Sequence, residues 1–268
     1  MTAFLNHLAF EFKTGLRNPT QLLMNYLFPL GFYVMMAVVM VPINPLFAQT
    51  MVPAMIAVAA MSSSLLGLPG TLVESREAGI YRSFKINGVP AVSILAIPTL
   101  STMFPVLIVA AAITVTGPLF KGVLPVNWGG FALVTLVTAF SYGAIGALIG
   151  VVAKEARSTV LYSQLIFLPS MILGGMMMPT EILPAAIQRV ARLLPATYTM
   201  QSYLGLAYGQ STVMNPTGAL LVLLASGLLA FGLGIYLFNW DSRNTSGRGH
   251  PALALLAILP YVAGMLLS

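Results

Sequence analysis

Residues 128–152 read WGGFALVTLVTAFSYGAIGALIGVV, and this stretch decides what kind of molecule the chain is. It holds no charged residue and does not alternate between apolar and polar side chains. Only helices and closed barrels satisfy their backbone polar groups in lipid. A barrel strand would alternate over ~10 positions. A helix needs roughly 20 mostly apolar residues to cross the hydrocarbon core. The stretch is therefore expected to be a membrane-spanning helix.

Working outward, the same reading applies to 20–41, 47–72, 91–117, 159–178 and 216–238, giving six expected spans. Pro29, Pro53, Pro98, Pro105 and Pro169 lie inside these runs, where neighbouring helices can satisfy the freed carbonyls, so kinks rather than breaks are expected. Composition agrees with lipid as the solvent. The chain has 268 residues, 58% hydrophobic and 7% charged, against about 25% charged in a soluble domain. The expected fold is all-α: a polytopic helical membrane protein in one transmembrane domain. It comprises an interfacial helix over 1–18, a six-span core over 19–238 and an extension over 239–268. The apolar tail 251–268 is only just long enough to span and is interrupted by Pro260. It reads either as a seventh crossing or as a partly inserted hairpin.

Ahead of the first span, Phe4, Leu5, Leu8, Ala9, Phe12 and Leu16 share one helical arc. Asn6, Glu11, Lys13, Thr14 and Arg17 lie opposite, with Phe10 the one intruder. Such a helix lies in the headgroup plane; the alternative is an amphipathic helix packed on protein. Basic residues set the orientation. With the N-terminus inside, nine of the twelve fall on inner segments and three, Lys121, Arg189 and Arg192, on outer ones. The net charge of +6 then marks topology and not a nucleic-acid partner. Gly146 to Gly150, and Ser226, Ala230 and Gly234, are small-residue patterns that allow close helix approach, most simply within the chain.

Several chemistries are excluded. A phosphate-binding loop needs Gly-Lys-Ser/Thr, and no lysine here follows a glycine, so the chain carries no ATPase site of this type. Ion-coupled carriers keep an acidic residue near the membrane midplane, whereas Glu11, Glu74, Glu77, Glu155, Glu181 and Asp241 all fall at span ends or in loops. There is no cysteine, no HExxH, a single aspartate, and His7 and His250 both lie outside the spans. Catalytic and metal sites are thus not expected. What remains is a transport-like protein whose energy must come from a partner.

Two connections carry information. On the inner side runs Glu74-Ser-Arg-Glu-Ala-Gly-Ile-Tyr-Arg-Ser-Phe-Lys-Ile-Asn-Gly-Val-Pro90. Ile80, Tyr81 and Phe84 share one helical face, with Glu74, Arg82 and Lys85 on another. Such a helix could dock on a cytosolic partner or be a solvated basic loop; the pattern alone leaves both open. On the outer side runs Gly174-Gly-Met-Met-Met-Pro-Thr-Glu-Ile-Leu-Pro184, then a helix to Leu194 with an apolar stripe of Leu183, Ile187, Val190 and Leu194, then Pro195-Ala-Thr-Tyr198. Pro184 suits the first turn of that helix and Pro195 stops it. It would cap the spans or dip into the outer leaflet. The Met176–Met178 run reads as adaptable packing.

In these two segments the chain resembles the type-2 ABC exporter permeases. Glu74, Glu77, Gly79, Arg82 and Pro90 match the family's inner segment in order. Gly175, Pro179, Leu183, Pro184, Pro195 and Tyr198 match its outer one, and the amphipathic start matches its elbow helix. The resemblance covers roughly 1–238 in layout. It implies a prokaryotic plasma-membrane protein with a cytoplasmic N-terminus, no cofactor bound by this chain, and ATP and Mg held by a separate cytosolic ATPase subunit. It also implies a second permease copy, identical or related, with membrane lipid around both. Glu74, Arg76, Glu77, Gly79, Ile80, Tyr81, Arg82, Phe84 and Lys85 would couple to the ATPase, with Lys154 and Arg157 as a smaller contact. Met55, Met61, Tyr162, Gln164, Phe167 and Met171 would line the path between protomers. Pro179, Leu183, Pro184, Arg189, Arg192 and Tyr198 would form the outer gate. A hydrophobic or amphipathic cargo (drug, lipid or glycolipid) is expected, moved outward. The competing readings are an ATP-independent lipid scramblase or carrier, and a membrane scaffold that recruits a cytosolic partner. The tail 251–268 departs from the family's six-span plan.

Overall fold

The structure, a computed structural model, describes residues 15, 17–240 and 249–267. The interfacial helix expected over 1–18 lies almost wholly outside the described residues, as do Arg243 and Arg248. Among the described residues every regular element is a helix. Five are long and apolar enough to cross a membrane: α1 (Pro19–Ile43), α2 (Phe47–Glu77), α4 (Val92–Phe120), α5 (Trp128–Val152) and α9 (Pro216–Leu237). Between them stand α3 (Ile80–Ile86), α6 (Ala156–Leu173), α7 (Ala185–Ala191) and α8 (Pro195–Ser202). The tail forms α10 (Pro251–Leu266).

The span expected over 159–178 is α6, which is helical only to Leu173 and has 18 residues. It carries Arg157, Ser158, Thr159, Ser163, Gln164 and Ser170, so it is shorter and more polar than the other five. Its chain then turns at Gly174 and Gly175 without completing the expected run.

Asparagine starts three of the five long spans, α1, α5 and α9. Asn18 Oδ1 accepts from Thr20 and Gln21 N–H at 3.0 and 3.2 Å, Asn127 from Gly130 at 3.0 Å and Asn215 from Gly218 at 3.1 Å. Each satisfies an N–H that the first helical turn leaves orphaned. Pro19 and Pro216 occupy first-turn positions, where their missing N–H costs nothing.

α2 is the central helix. In its membrane-length window 94% of the residues are buried, against 28% in α1. α5 lies alongside it because Gly146 stands where any side chain would overlap the Ser64 carbonyl, and Gly150 lets Leu72 and Pro69 approach. The small-residue pattern is thus used within the chain. Gly227 likewise brings α9 against Ser141 of α5, and Ser141 Oγ donates to the Leu223 carbonyl at 3.0 Å.

The prolines are absorbed without breaking the helices. α1 widens to a π turn over Leu23–Leu27, just before Pro29, and α2 does so over Ser62–Gly67, just before Pro69. In the first turn the Phe28 N–H reaches back to the Leu23 carbonyl. The next carbonyl, Met24, would wait for the N–H that Pro29 lacks. Ser62 Oγ lies 3.0 Å from it and shares its one proton between this carbonyl and that of Ala59 at 3.1 Å. A neighbouring helix thus repairs the ladder that proline interrupts.

The helices alternate in direction, so the bundle has two ends. The basic end collects the C-termini of α2, α5 and α9, the start of α6, and all of α3. Arg76, Arg82, Lys85, Lys154 and Arg157 lie there. The far end carries Lys121, Arg189 and Arg192, together with α7 and α8.

Candidate functional site

At the basic end, α2 stops because Gly79 adopts φ +75°, a left-handed conformation open to glycine at low cost. The Gly79 N–H closes onto the Arg76 carbonyl at 3.1 Å, and the chain restarts as α3. Gly88, at φ +72°, ends α3 in the same way, with the Val89 N–H bonded to the Phe84 carbonyl at 3.0 Å. The result is a seven-residue helix projecting from the bundle between two fixed corners.

Its side chains sort into inward and outward sets. Arg76 is 9% exposed. Its guanidinium donates to the Val151 carbonyl at 3.0 Å and to the Ala153 carbonyl, capping the C-terminal end of α5, where orphan carbonyls favour a cation. Tyr81 is 5% exposed and its ring packs 5.5 Å from Phe238, beyond α9. Phe84 is half-buried. The sequence-based docking ridge of Ile80, Tyr81 and Phe84 therefore needs correcting. Tyr81 is turned into the protein because α3 must be pinned to α9, and Arg76 is a strap and not a surface contact. The exposed set is Glu74, Glu77, Ile80, Arg82, Lys85 and Ile86, the last 81% exposed. Ile86 was not singled out from sequence. It lies two positions from Phe84, off the arc that the periodicity picked.

Of the residues expected as a second contact, Lys154 is exposed in the turn that follows α5 and Arg157 in the first turn of α6. Glu155 and Ser158 form a capping box that starts α6. Arg76 fixes this turn as well, because Ala153 is its first residue. The two predicted coupling elements are thus brought together by one buried side chain.

The expected path residues divide. Met55 and Met61 are fully buried in α2, and Phe167 is 4% exposed. All three pack inside the chain, Met55 and Met61 because α2 is the core helix and Phe167 against Phe28 of α1, and so cannot face a passage between two copies. Tyr162 is exposed, while Gln164 and Met171 are half-buried.

At the far end, the expected helix to Leu194 is α7, which ends at Ala191. Pro184 caps it, and Arg192 ends it. Its apolar stripe is only partly covered by the chain: Leu183 and Leu194 are half-buried, while Ile187 and Val190 are 37% and 51% exposed. Pro179, Pro184 and Arg189 are exposed, while Leu183 and Arg192 are half-buried. Pro195 does not merely stop a helix; it opens α8, all eight of whose residues are buried. α8 folds back among the spans. Its π-turn extension places the Tyr203 hydroxyl 2.9 Å from Thr135 Oγ1 of α5, and the Ala207 carbonyl accepts from Val126 and Asn127 N–H at 2.9 and 3.0 Å. Gln201 Oε1 holds the following loop through the Val213 N–H at 3.0 Å. α7 and α8 thus make a hairpin that re-enters the bundle. Sequence reasoning missed α8 because Thr197, Thr199, Gln201 and Ser202 dilute its apolar character. Tyr198, expected in the gate, is buried in α8.

Residues 2–208 match the family described as ABC-2 type transporter. The chain belongs to that family. The match ends at Tyr208, so α9 and the tail of this ABC-2 chain lie beyond it. Over 181 residues it is 24% identical to the linearmycin resistance permease protein LnrN of Bacillus subtilis (strain 168), covering 64% of this chain and 45% of the relative. Over 202 residues it is 26% identical to a protein of the same organism named "Putative transport permease YvfS", covering 69% of this chain and 78% of the relative. The chain thus spans less than half the length of the first relative. No solved structure matches.

Proposed function

We propose that this chain is the membrane subunit of an ATP-driven exporter, energised by a separate cytosolic ATPase that docks on α3 and the 153–157 turn. The observation that carries the reading is the sorting of side chains at the basic end. Arg76 and Tyr81 anchor α3 from within, while Ile80, Arg82, Lys85 and Ile86 face outward on a short rigid ledge. Two exposed isoleucines, Ile80 and Ile86, set among charged side chains suit a groove on a partner. The family and the permease-named relatives support the transport role. The basic end is cytoplasmic in this reading, by the preference of Lys and Arg for that side, and the hairpin α7–α8 faces out.

The cargo is a hydrophobic or amphipathic molecule. Supporting this, a relative is named for resistance to linearmycin, and no charged side chain projects from the membrane-length parts of α1, α4, α5 or α9. A second copy of the chain, identical or related, completes the passage, and Tyr162 on the exposed side of α6 faces it.

The test is co-purification of the tagged chain from its native membrane in mild detergent, followed by an ATPase assay. A Lys85→Glu, Ile86→Asp variant runs beside it. An ATPase that accompanies the native chain and is lost from the variant is expected. A clean single chain that moves lipid or drug across vesicles without nucleotide would overturn the reading in favour of a scramblase.

A further inference from the structure

Residues 251–267 lie beyond the family match, and nothing in the six-span plan accounts for them. They begin at the basic end, where Gly249 packs against Leu237 and Tyr236 of α9. His250 Nδ1 caps the first turn by accepting from the Ala252 N–H at 3.2 Å. The segment then runs beside α9 toward the far end. Its first eight residues form a 3-10 helix and its last nine an α-helix. At rises of ~2.0 and ~1.5 Å per residue these reach about 30 Å, the thickness of the hydrocarbon core. The same residues wound wholly as α-helix would reach only about 25 Å. The tighter winding thus gives a segment too short for an ordinary span the length of one.

Pro260, which made the tail doubtful as a crossing, is repaired from α9. In the 3-10 ladder its missing N–H would have served the Ala257 carbonyl. Ser226 Oγ donates there instead, at 2.8 Å, and both residues are buried. A backbone carbonyl so placed in lipid needs such a partner.

Higher up, the tail meets the hairpin. The Tyr198 hydroxyl of α8 donates to the Tyr261 carbonyl at 3.1 Å, and the two rings lie 5.2 Å apart. Gly264 permits this approach: a methyl group there would stand 2.7 Å from the Tyr198 hydroxyl. Tyr198 and Tyr261 are almost wholly buried.

We infer that residues 251–267 form a seventh membrane crossing that braces the re-entrant hairpin, with Tyr198 as the positioning residue that receives the brace. The crossing stands independently of the exporter reading; only the hairpin's role as an outer gate rests on it. Residue 267 comes to the side of Lys121, and the ledge of α3 to the other.

The absence of native cysteine makes the test direct. A Gly-Ser-Cys extension after Ser268 is labelled with a membrane-impermeant maleimide in intact cells and again after permeabilisation. Lys121→Cys and Lys85→Cys serve as references for the two sides. Labelling of the extension in intact cells, as at Lys121→Cys, is expected. Labelling only after permeabilisation, as at Lys85→Cys, overturns the crossing. The brace is read from Ala196→Cys, a buried site in α8. Its labelling is expected to accelerate tenfold or more when the chain stops at His250, and several-fold in the full-length Gly264→Leu chain. Equal rates with and without the change at Gly264, in chains of normal yield, overturn the brace. Neither arm needs the ATPase or a cargo, so both can fail while the exporter reading stands.

Discussion

The guanidinium of Arg76 donates to the carbonyl of Val151, 3.0 Å away and 75 positions further along the chain, at the last turn of α5. Its second bond, to Ala153, ties the foot of the central helix to the turn that starts α6. The segment leading into α3 is thereby tied to α2, α5 and α6 together. Hydrogen bonds from charged groups contribute about 1.5–3 kcal/mol each, and losing them here would also strand carbonyls at a helix end. Arg76→Leu should lower the thermal unfolding midpoint in detergent clearly. Arg76→Lys should recover only part of the loss, because a point charge cannot serve two carbonyls as a planar fork does. An unchanged midpoint in Arg76→Leu would show that the strap carries no load.

The opposed faces of α3 should separate by measurement. Tyr81→Ala empties a packed site beside Phe238, and truncation of a buried aromatic residue costs about 3–5 kcal/mol. It should reduce folded yield. Lys85→Glu with Ile86→Asp alters only exposed side chains, so yield and unfolding midpoint should stay within error while association with the proposed ATPase partner falls at least tenfold. If instead the exposed pair unfolds the protein and Tyr81→Ala merely releases the ATPase, the inward and outward assignments are reversed.

This division was not legible in the sequence. A seven-residue helix makes about two turns, so periodicity places Ile80, Tyr81 and Phe84 on one arc without saying which way the arc faces. Phe238, the group that decides it, lies far along the chain. The long spans were legible because charge-free runs such as 128–152 and 216–238 admit one solvent. That Gly146 and Gly150 serve close helix approach was legible too, from small residues at that spacing, though not that α2 is the partner. α8 was not. Thr199 and Ser202 turn their hydroxyls back onto the α8 carbonyls of Pro195 and Tyr198, while Thr197 reaches Ala191 of α7 and Gln201 the 209–215 loop. In sequence, the same groups resemble a polar connection. Met55 and Met61 were misplaced for a related reason: an apolar run shows that a helix spans, not that it sits at the centre of the bundle.

Two glycines should respond oppositely to alanine. At Gly146 the added carbon would overlap the Ser64 carbonyl, part of the backbone of a buried helix that has no room to retreat. Gly146→Ala should separate α2 from α5 and cut the yield of folded protein severely. At Gly232, in the middle of α9, nothing lies within 4 Å of the added carbon. There alanine replaces the poorest non-proline helix former with the best one, a gain of up to about 1 kcal/mol. Gly232→Ala should be neutral or slightly stabilising by thermal unfolding. Equal damage at both positions would mean that backbone proximity is not what Gly146 provides.

The last prediction concerns two serines with the same task. Ser62 serves the Met24 carbonyl that Pro29 leaves open, and Ser226 serves the Ala257 carbonyl that Pro260 leaves open. Hydrogen bonds between membrane helices average only about 0.6 kcal/mol, but an orphaned carbonyl in a dry environment raises the cost of losing one toward about 1–3 kcal/mol. Ser62→Ala and Ser226→Ala should each destabilise the protein by an amount in that range. Restoring the backbone donor offers the sharper check. In a Ser226→Ala background, Pro260→Ala returns an N–H to the 3-10 ladder, so the double variant should be more stable than Ser226→Ala alone. The same Pro260→Ala change in the native background should have a smaller effect, because the carbonyl is already served. Purely additive effects of the two substitutions would mean that Ser226 and Pro260 do not share the Ala257 carbonyl.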